Sequence, residues 1–247
     1  MIGRLFGRKD GKIAITPTVK KLWPIFLSYS IIALTMAAFV LNMINFSKIM
    51  WPSDEFHAFE MGLILSIRFV SMAFSGIIIG HLTDLFSRKK LFLFILSLIG
   101  SAYLLNGFAP EAEGIVSWTW FFLCNIIAGL GLGGIRPILL SYTNDNLEKE
   151  NRSQFFGIFH SIAQISLVLG MVISSTLIYG GYWKIYYWSI GIMVILSIFI
   201  IGLKINEPKR AFRSLDILTE VLENMSIKYN YRLTRETIKS TILKTTN

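Results

Sequence analysis

Few side chains in this sequence could do chemistry, and most of them stand inside long apolar runs. Arg68, Arg136, His160, Gln164, Asn42, Asn45 and Asn125 are each flanked by uncharged residues. An ionisable group in such a run is costly to keep there, so each is a reason to look for a function. Arg68, near the middle of its run, has two readings. It could attract an anionic group across a water-filled cavity, or it could be a structural arginine bound to backbone carbonyls. Arg136 stands closer to its helix end, where snorkelling or pairing with nearby acids is expected. His160 and Gln164 are four residues apart and share a helix face, with Ser161 and Ser166 close by. They could contact a solute or hydrogen-bond a neighbouring helix, and the imidazole could titrate near neutral pH. Asn42, Asn45 and Asn125 are further cavity candidates.

Other chemistries lack their parts. There is one cysteine and there are three scattered histidines, so neither a disulfide framework nor a metal-ligand spacing is present. Cys124 reads as a buried thiol. No Ser/His/Asp arrangement is suggested, no catalytic residue is assigned, and no cofactor is implied.

The elements that must position these residues are membrane helices. Of 247 residues, 53% are apolar and 16% charged, against about a quarter charged in soluble domains. Six runs approach or exceed the ~20 residues needed to cross a hydrocarbon core. They are Trp23–Phe46, His57–Leu82, Leu91–Phe108, Val116–Tyr142, Phe155–Tyr179 and Ile185–Leu203. Backbone groups in lipid must be satisfied within the segment, so the runs are predicted to be helices. Short connections make neighbours antiparallel. The first run is too long for a signal peptide and lacks a small-residue cleavage site.

The net charge of +9 is distributed as loop charge, not as a nucleic-acid surface. Lys and Arg fill the N-terminal tail, the second and fourth connections and the segment after Leu203. The first, third and fifth connections hold only Lys48 and Lys184. The positive-inside rule then places both termini in the cytoplasm, and the basic segments should also attract anionic lipid. Trp51, Trp118 and Trp183 fall near outer helix ends, where interfacial anchors belong. The organisation expected is a basic tail at 1–22, a six-helix bundle at 23–205 and a cytoplasmic segment at 206–247. In the last of these, Leu215, Leu218, Leu222 and Met225 recur at amphipathic spacing. Thr234–Lys244 could form a second short helix.

Four loop motifs give a family resemblance. Gly80-His-Leu-Thr-Asp84-Leu-Phe-Ser-Arg88-Lys89-Lys90 resembles the signature between helices two and three of the major facilitator superfamily, with Leu85 and Ser87 in place of its usual Arg and Gly. Gly129-Leu-Gly131-Leu-Gly133-Gly134-Ile-Arg136-Pro137 looks like the fourth helix of sugar-porter-like members, with Asn125 where an Arg is usual. Small residues at this spacing let helices pack closely. Asp145 and Arg152 resemble the acid–six–Arg element of sugar porters, and such a pair could bridge two helix ends. Asn206-Glu207-Pro208-Lys209-Arg210 looks like the exit from helix six, spinster-like lipid transporters included.

The resemblance implies an all-α membrane protein: the amino-terminal six-helix half of such a transporter, in the plasma membrane. It also implies alternating access for a small organic solute. The residues it makes responsible for gating are Gly80, Asp84, Arg88, Lys89, Asp145 and Arg152, and for helix packing Gly129, Gly131, Gly133 and Gly134. Expected partners are membrane lipids, a small-molecule substrate and a second six-helix bundle, either a missing C-terminal half or a second copy. Truncation is the favoured reading of where the chain stops. A non-transporting membrane scaffold or regulatory subunit is the alternative.

Overall fold

In the computed structural model, residues 8–9, 12–13, 17–36 and 38–205 are described. The segment 206–247, with the expected amphipathic helix and the Asn206–Arg210 exit, lies outside the described residues. Near the N-terminus, β1 (Arg8–Lys9) and β2 (Lys12–Ile13) pair antiparallel, followed by a single turn, α1 (Pro17–Lys20).

The remaining described elements are helices, and six spans are long and apolar enough to cross a membrane. The first, Trp23–Leu41, holds α2 (Trp23–Met36) and α3 (Ala38–Leu41), and α4 (Met43–Met50) follows it after a break, so the helical chain ends four residues beyond the run the sequence suggested. The break between α3 and α4 falls at Asn42, whose φ of −110° and ψ of 18° leave the helix region. Its side-chain amide donates to the Ala38 carbonyl at 2.9 Å, an alternative partner of the kind that makes Asn unfavourable inside helices.

The other spans match the apolar runs with shifted ends. They are α5 (Ala58–Leu85), α6 (Arg88–Asn106), α7 (Ile115–Asn146), α8 (Lys149–Tyr179) and α9 (Trp183–Lys204). Hydropathy ends a run where charges begin, but hydrogen bonding carries the helix on into water. That is why α7 and α8 extend over Thr143–Asn146 and Lys149–Gln154. Between α5 and α6 the chain turns extended at Phe86, and the Ser87 hydroxyl accepts from the Lys90 N–H at 3.2 Å. The serine that replaces the motif's usual glycine is thus the N-cap of α6.

The most extensive packing is α5 on α7; α6 lies against α7 and α9, and α2 against α8 and α9. The α5–α7 seam depends on missing side chains. A Cβ on Gly129 would stand 2.5 Å from the Arg68 carbonyl oxygen, and one on Gly133 would meet the backbone of Met72. Gly131 instead faces Ile99 and Ile95 of α6, and Gly134 sits between Ile95 of α6 and Ile79 of α5. The four glycines therefore serve two seams of α7 at once. Gly80 is different: its nearest neighbour across the seam is Pro137 Cβ, at 3.9 Å from an added methyl. The close approach expected at Gly80 is made about two turns earlier, at Met72, whose backbone faces Gly133, while an added Cβ on Gly76 would stand 3.5 Å from the Gly133 carbonyl oxygen, an ordinary contact.

Aromatic rings fill one end of the bundle. Phe121 stands with its ring centroid 5.4 Å from that of Phe46, 5.7 Å from Trp183 and 5.9 Å from Tyr187. Trp183 is 2% exposed, so it is a core residue and not the interfacial anchor its position suggested. Trp51 stacks on His57 at 4.0 Å. Trp118 donates its indole N–H to the Glu60 carbonyl at 2.8 Å. In contrast, α5 and α8 leave broad apolar faces uncovered, including Phe69, Phe74 and Ile77 on one and Ile165, Val168 and Val172 on the other.

Candidate functional site

An open cavity of about 520 Å³ lies between α2, α7 and α8. Its polar wall is Tyr29 from α2, Arg136 from α7, and His160 and Gln164 from α8. Its apolar wall includes Met36, Phe156, Phe159 and Leu167. A second hollow of about 370 Å³ shares Tyr29, Met36, Ile135 and Arg136 and reaches Met72 and Ala73 of α5. Arg136 and His160 are each ten or eleven residues from the α7–α8 turn, so both stand about 15 Å from that end. The ring of Phe159 packs on Tyr29 at 4.1 Å and edge-on to His160 at 5.7 Å. These contacts fix where the phenol and the imidazole sit.

Of the intramembrane residues singled out in the sequence, Arg136, His160 and Gln164 reach this cavity. Arg68, Asn125, Asn42 and Asn45 do not line it. Arg68 is 5% exposed and donates to the Tyr103 hydroxyl at 3.1 Å, inside the packed interior of α5, α6 and α9. Asn125 is buried and donates to the Phe121 carbonyl of its own helix at 2.8 Å. Asn42 binds Ala38 and reaches Ser174 of α8 at 3.5 Å, and Asn45 donates to the Asn42 side chain at 3.3 Å. Two of these four, Arg68 and Asn42, thus tie separate helices together in place of facing a solute, and Asn45 and Asn125 bind groups nearby in their own segment of chain. Tyr103→Phe removes the hydroxyl that Arg68 binds. It should cost about 1–2 kcal/mol of stability, measured by unfolding in mixed micelles.

Arg136 is the residue whose role changes most. Snorkelling or pairing with the motif acids was expected of it, yet it lies exposed on the cavity wall. The acid nearest in sequence, Asp145, is taken by Arg88. One signal was available beforehand. Positions three and four away on α7 are Leu132, Gly133, Leu139 and Leu140, so no acid on its own helix could neutralise it.

The charged end of the bundle is a second cluster. Arg88, the first residue of α6, pairs with Asp145 of α7 at 2.9 Å and donates to the Ser141 hydroxyl at 3.0 Å. The next residue, Lys89, donates to the Gly202 carbonyl at 2.7 Å, near the end of α9. Arg152 does not pair with Asp145, as its spacing suggested. It donates to the carbonyls of Asn144 and Leu147 at 2.8 and 3.0 Å, closing the α7–α8 turn. The reason is geometric: after α7 ends, the backbone carbonyls of the turn lie nearer to Arg152, and Asp145 faces α6. Asp84 sits in the last turn of α5; its side chain lies outside the described residues. Among the described residues no group of His, Cys, Asp and Glu could hold a metal ion.

Residues 26–223 match the family model described as Major Facilitator Superfamily. The chain is 28% identical to the niacin transporter NiaP of Acinetobacter baylyi over 148 residues, 60% of this chain and 32% of that protein. It is 30% identical to the galactose transporter of Saccharomyces cerevisiae over 145 residues, 57% of this chain and 24% of that one. Similarity to multidrug resistance protein 3 of Bacillus subtilis is 27% over 175 residues, 70% of this chain and 30% of the relative. The matched region thus spans about a third or less of each relative's length.

Proposed function

This chain belongs to the Major Facilitator Superfamily as a multi-pass membrane protein, and from that premise we propose that it is the amino-terminal half of a secondary transporter for a small organic solute. The observation that carries the reading is the cavity between α2, α7 and α8. Four polar side chains meet there, at about 15 Å from the helix ends. Polar groups at that depth in a membrane need either partners or water, and an open cavity supplies water and room for a solute. The relatives named above carry niacin and galactose in their names. They support a small organic solute without selecting one.

Alternating access requires two bundles rocking about a midplane site. The uncovered apolar faces of α5 and α8 suit contact with a second bundle, supplied by a further segment of the same protein or by a second copy. The bundle sits in the plasma membrane with the Arg88–Asp145 end and both termini in the cytoplasm, in keeping with the loop charges. Rocking then alternately closes the cavity at this charged end and opens it.

Cys124 is 4% exposed, so a cysteine placed on the cavity wall reports with little background. Leu167→Cys in native membranes should react with a membrane-impermeant maleimide from either side, in proportions that a transported solute changes. Reaction from one side under every condition, together with a strictly monomeric chain on crosslinking, would sink alternating access. That pair of results would favour a membrane scaffold instead.

A further inference from the structure

Arg136 brings a positive charge into the cavity, and nothing described there neutralises it. The lining contains no aspartate or glutamate among the described residues. Neither the ion pairs nor the hydrogen bonds of the described residues occupy its guanidinium. Arg68, the other intramembrane arginine, is settled on Tyr103 in the packed interior. The two arginines therefore differ in kind, one holding the bundle together and one facing open space.

We propose that the cavity binds small organic anions with an apolar, ring-sized body, and that Arg136 is the side chain that selects their charge. This deepens the transport reading and rests on it. A guanidinium offers two parallel N–H donors to a carboxylate, in a geometry neither an amide nor a hydroxyl can reproduce. The apolar walls focus its field into the open cavity, so an anion is attracted and a cation repelled. Tyr29, His160 and Gln164 line the same space and can donate further hydrogen bonds to anionic oxygens. Beyond the polar wall, Phe156, Phe159, Met36 and Leu167 offer only apolar and aromatic surface. A sugar, polar all round, would leave its hydroxyls facing that surface unpaired, at a cost for each. A volume of about 520 Å³ is ample for a carboxylate on one or two rings, within the usual range of ligand pockets.

The test uses the full chain in lipid nanodiscs at neutral pH, with two acid–amide pairs as probes: benzoate with benzamide, and indole-3-acetate with indole-3-acetamide. Each pair keeps its ring and loses its charge. Radiolabelled acid should bind saturably, and its amide should compete at least about tenfold more weakly. Arg136→Gln should abolish that preference and Arg136→Lys should keep part of it, while Arg68→Gln, if it folds, should leave it unchanged. If Arg136→Gln does not fold, the wild-type comparison decides alone. Equal competition by acid and amide, or no saturable binding of either acid, overturns the proposal. Charge-selective binding together with labelling of Leu167→Cys from one side only, whatever solute is added, would overturn the transport reading and keep the anion site. Uptake of a neutral solute, indifferent to Arg136→Gln, would do the reverse.

Discussion

Gly133→Ala should be among the most damaging single-methyl additions to this bundle, while Gly80→Ala should be harmless. At Gly133 the new Cβ would collide with Met72 of α5. The atoms in its way are backbone: the carbonyl oxygen, with the carbonyl carbon at 2.8 Å and Cα at 2.9 Å. A side chain can rotate aside, but a helix backbone cannot, so α5 and α7 must separate along the most extensive seam in the fold. Overpacking of this kind costs about 1–3 kcal/mol and sometimes more. At Gly80 the nearest atom is 3.9 Å away, an ordinary contact. There the change should lie within about 0.5 kcal/mol of neutral, helped by the better helix propensity of alanine. Gly170→Ala is a second test of the same physics, because its Cβ would strike the backbone of Leu34 in α2. Unfolding in mixed detergent micelles orders the three variants. Finding Gly80→Ala the least stable of them would mean that the seams are not where the glycines place them.

The same contrast shows what a sequence can and cannot disclose about such a fold. Six spans were legible because lipid tolerates only long apolar segments with internal hydrogen bonds, and that constraint is written residue by residue. Helix packing was legible in kind, since a run of glycines in a membrane helix has few other uses, but not in detail. Spacing puts Gly129 and Gly133 on one face of α7 and Gly131 and Gly134 on another, but the partner of each face depends on where α5 and α6 lie. The cavity was legible only in part. His160 and Gln164 share a face, and that face meets open space. Arg68 and Arg136 looked alike as charges in apolar runs, and their ranking was reversed by rotation about their helix axes. The Arg68 side chain points inward to Tyr103, and that of Arg136 outward to the cavity. A helical wheel assigns faces to a helix, but not what each face meets.

At the charged end the sequence and the structure disagree about one partner, and a double-mutant cycle decides between them. Asp145→Asn and Arg88→Gln should each destabilise the bundle, and the pair should show a coupling energy of about 1–3 kcal/mol. The magnitude follows from burial. Arg88 is 11% exposed and Asp145 31%, between the surface pairs worth about 0–1 kcal/mol and the buried ones whose disruption costs about 3–5 kcal/mol. The cycle between Asp145→Asn and Arg152→Gln should give a coupling near zero, because Arg152 spends its guanidinium on the carbonyls of Asn144 and Leu147. In the proposed alternating-access cycle, a tie made in only one of the two states and worth about 1.4 kcal/mol would shift the equilibrium between them about tenfold, enough to change which side of the membrane the cavity faces for most of the time. In Asp145→Asn, labelling of Leu167→Cys should therefore shift toward the side on which the charged end lies, as that end closes less often. Strong coupling between Asp145 and Arg152, with none between Asp145 and Arg88, would return the tie to the α7–α8 turn and leave α6 free of α7 at this end. The shift in labelling would then have to come from the turn itself.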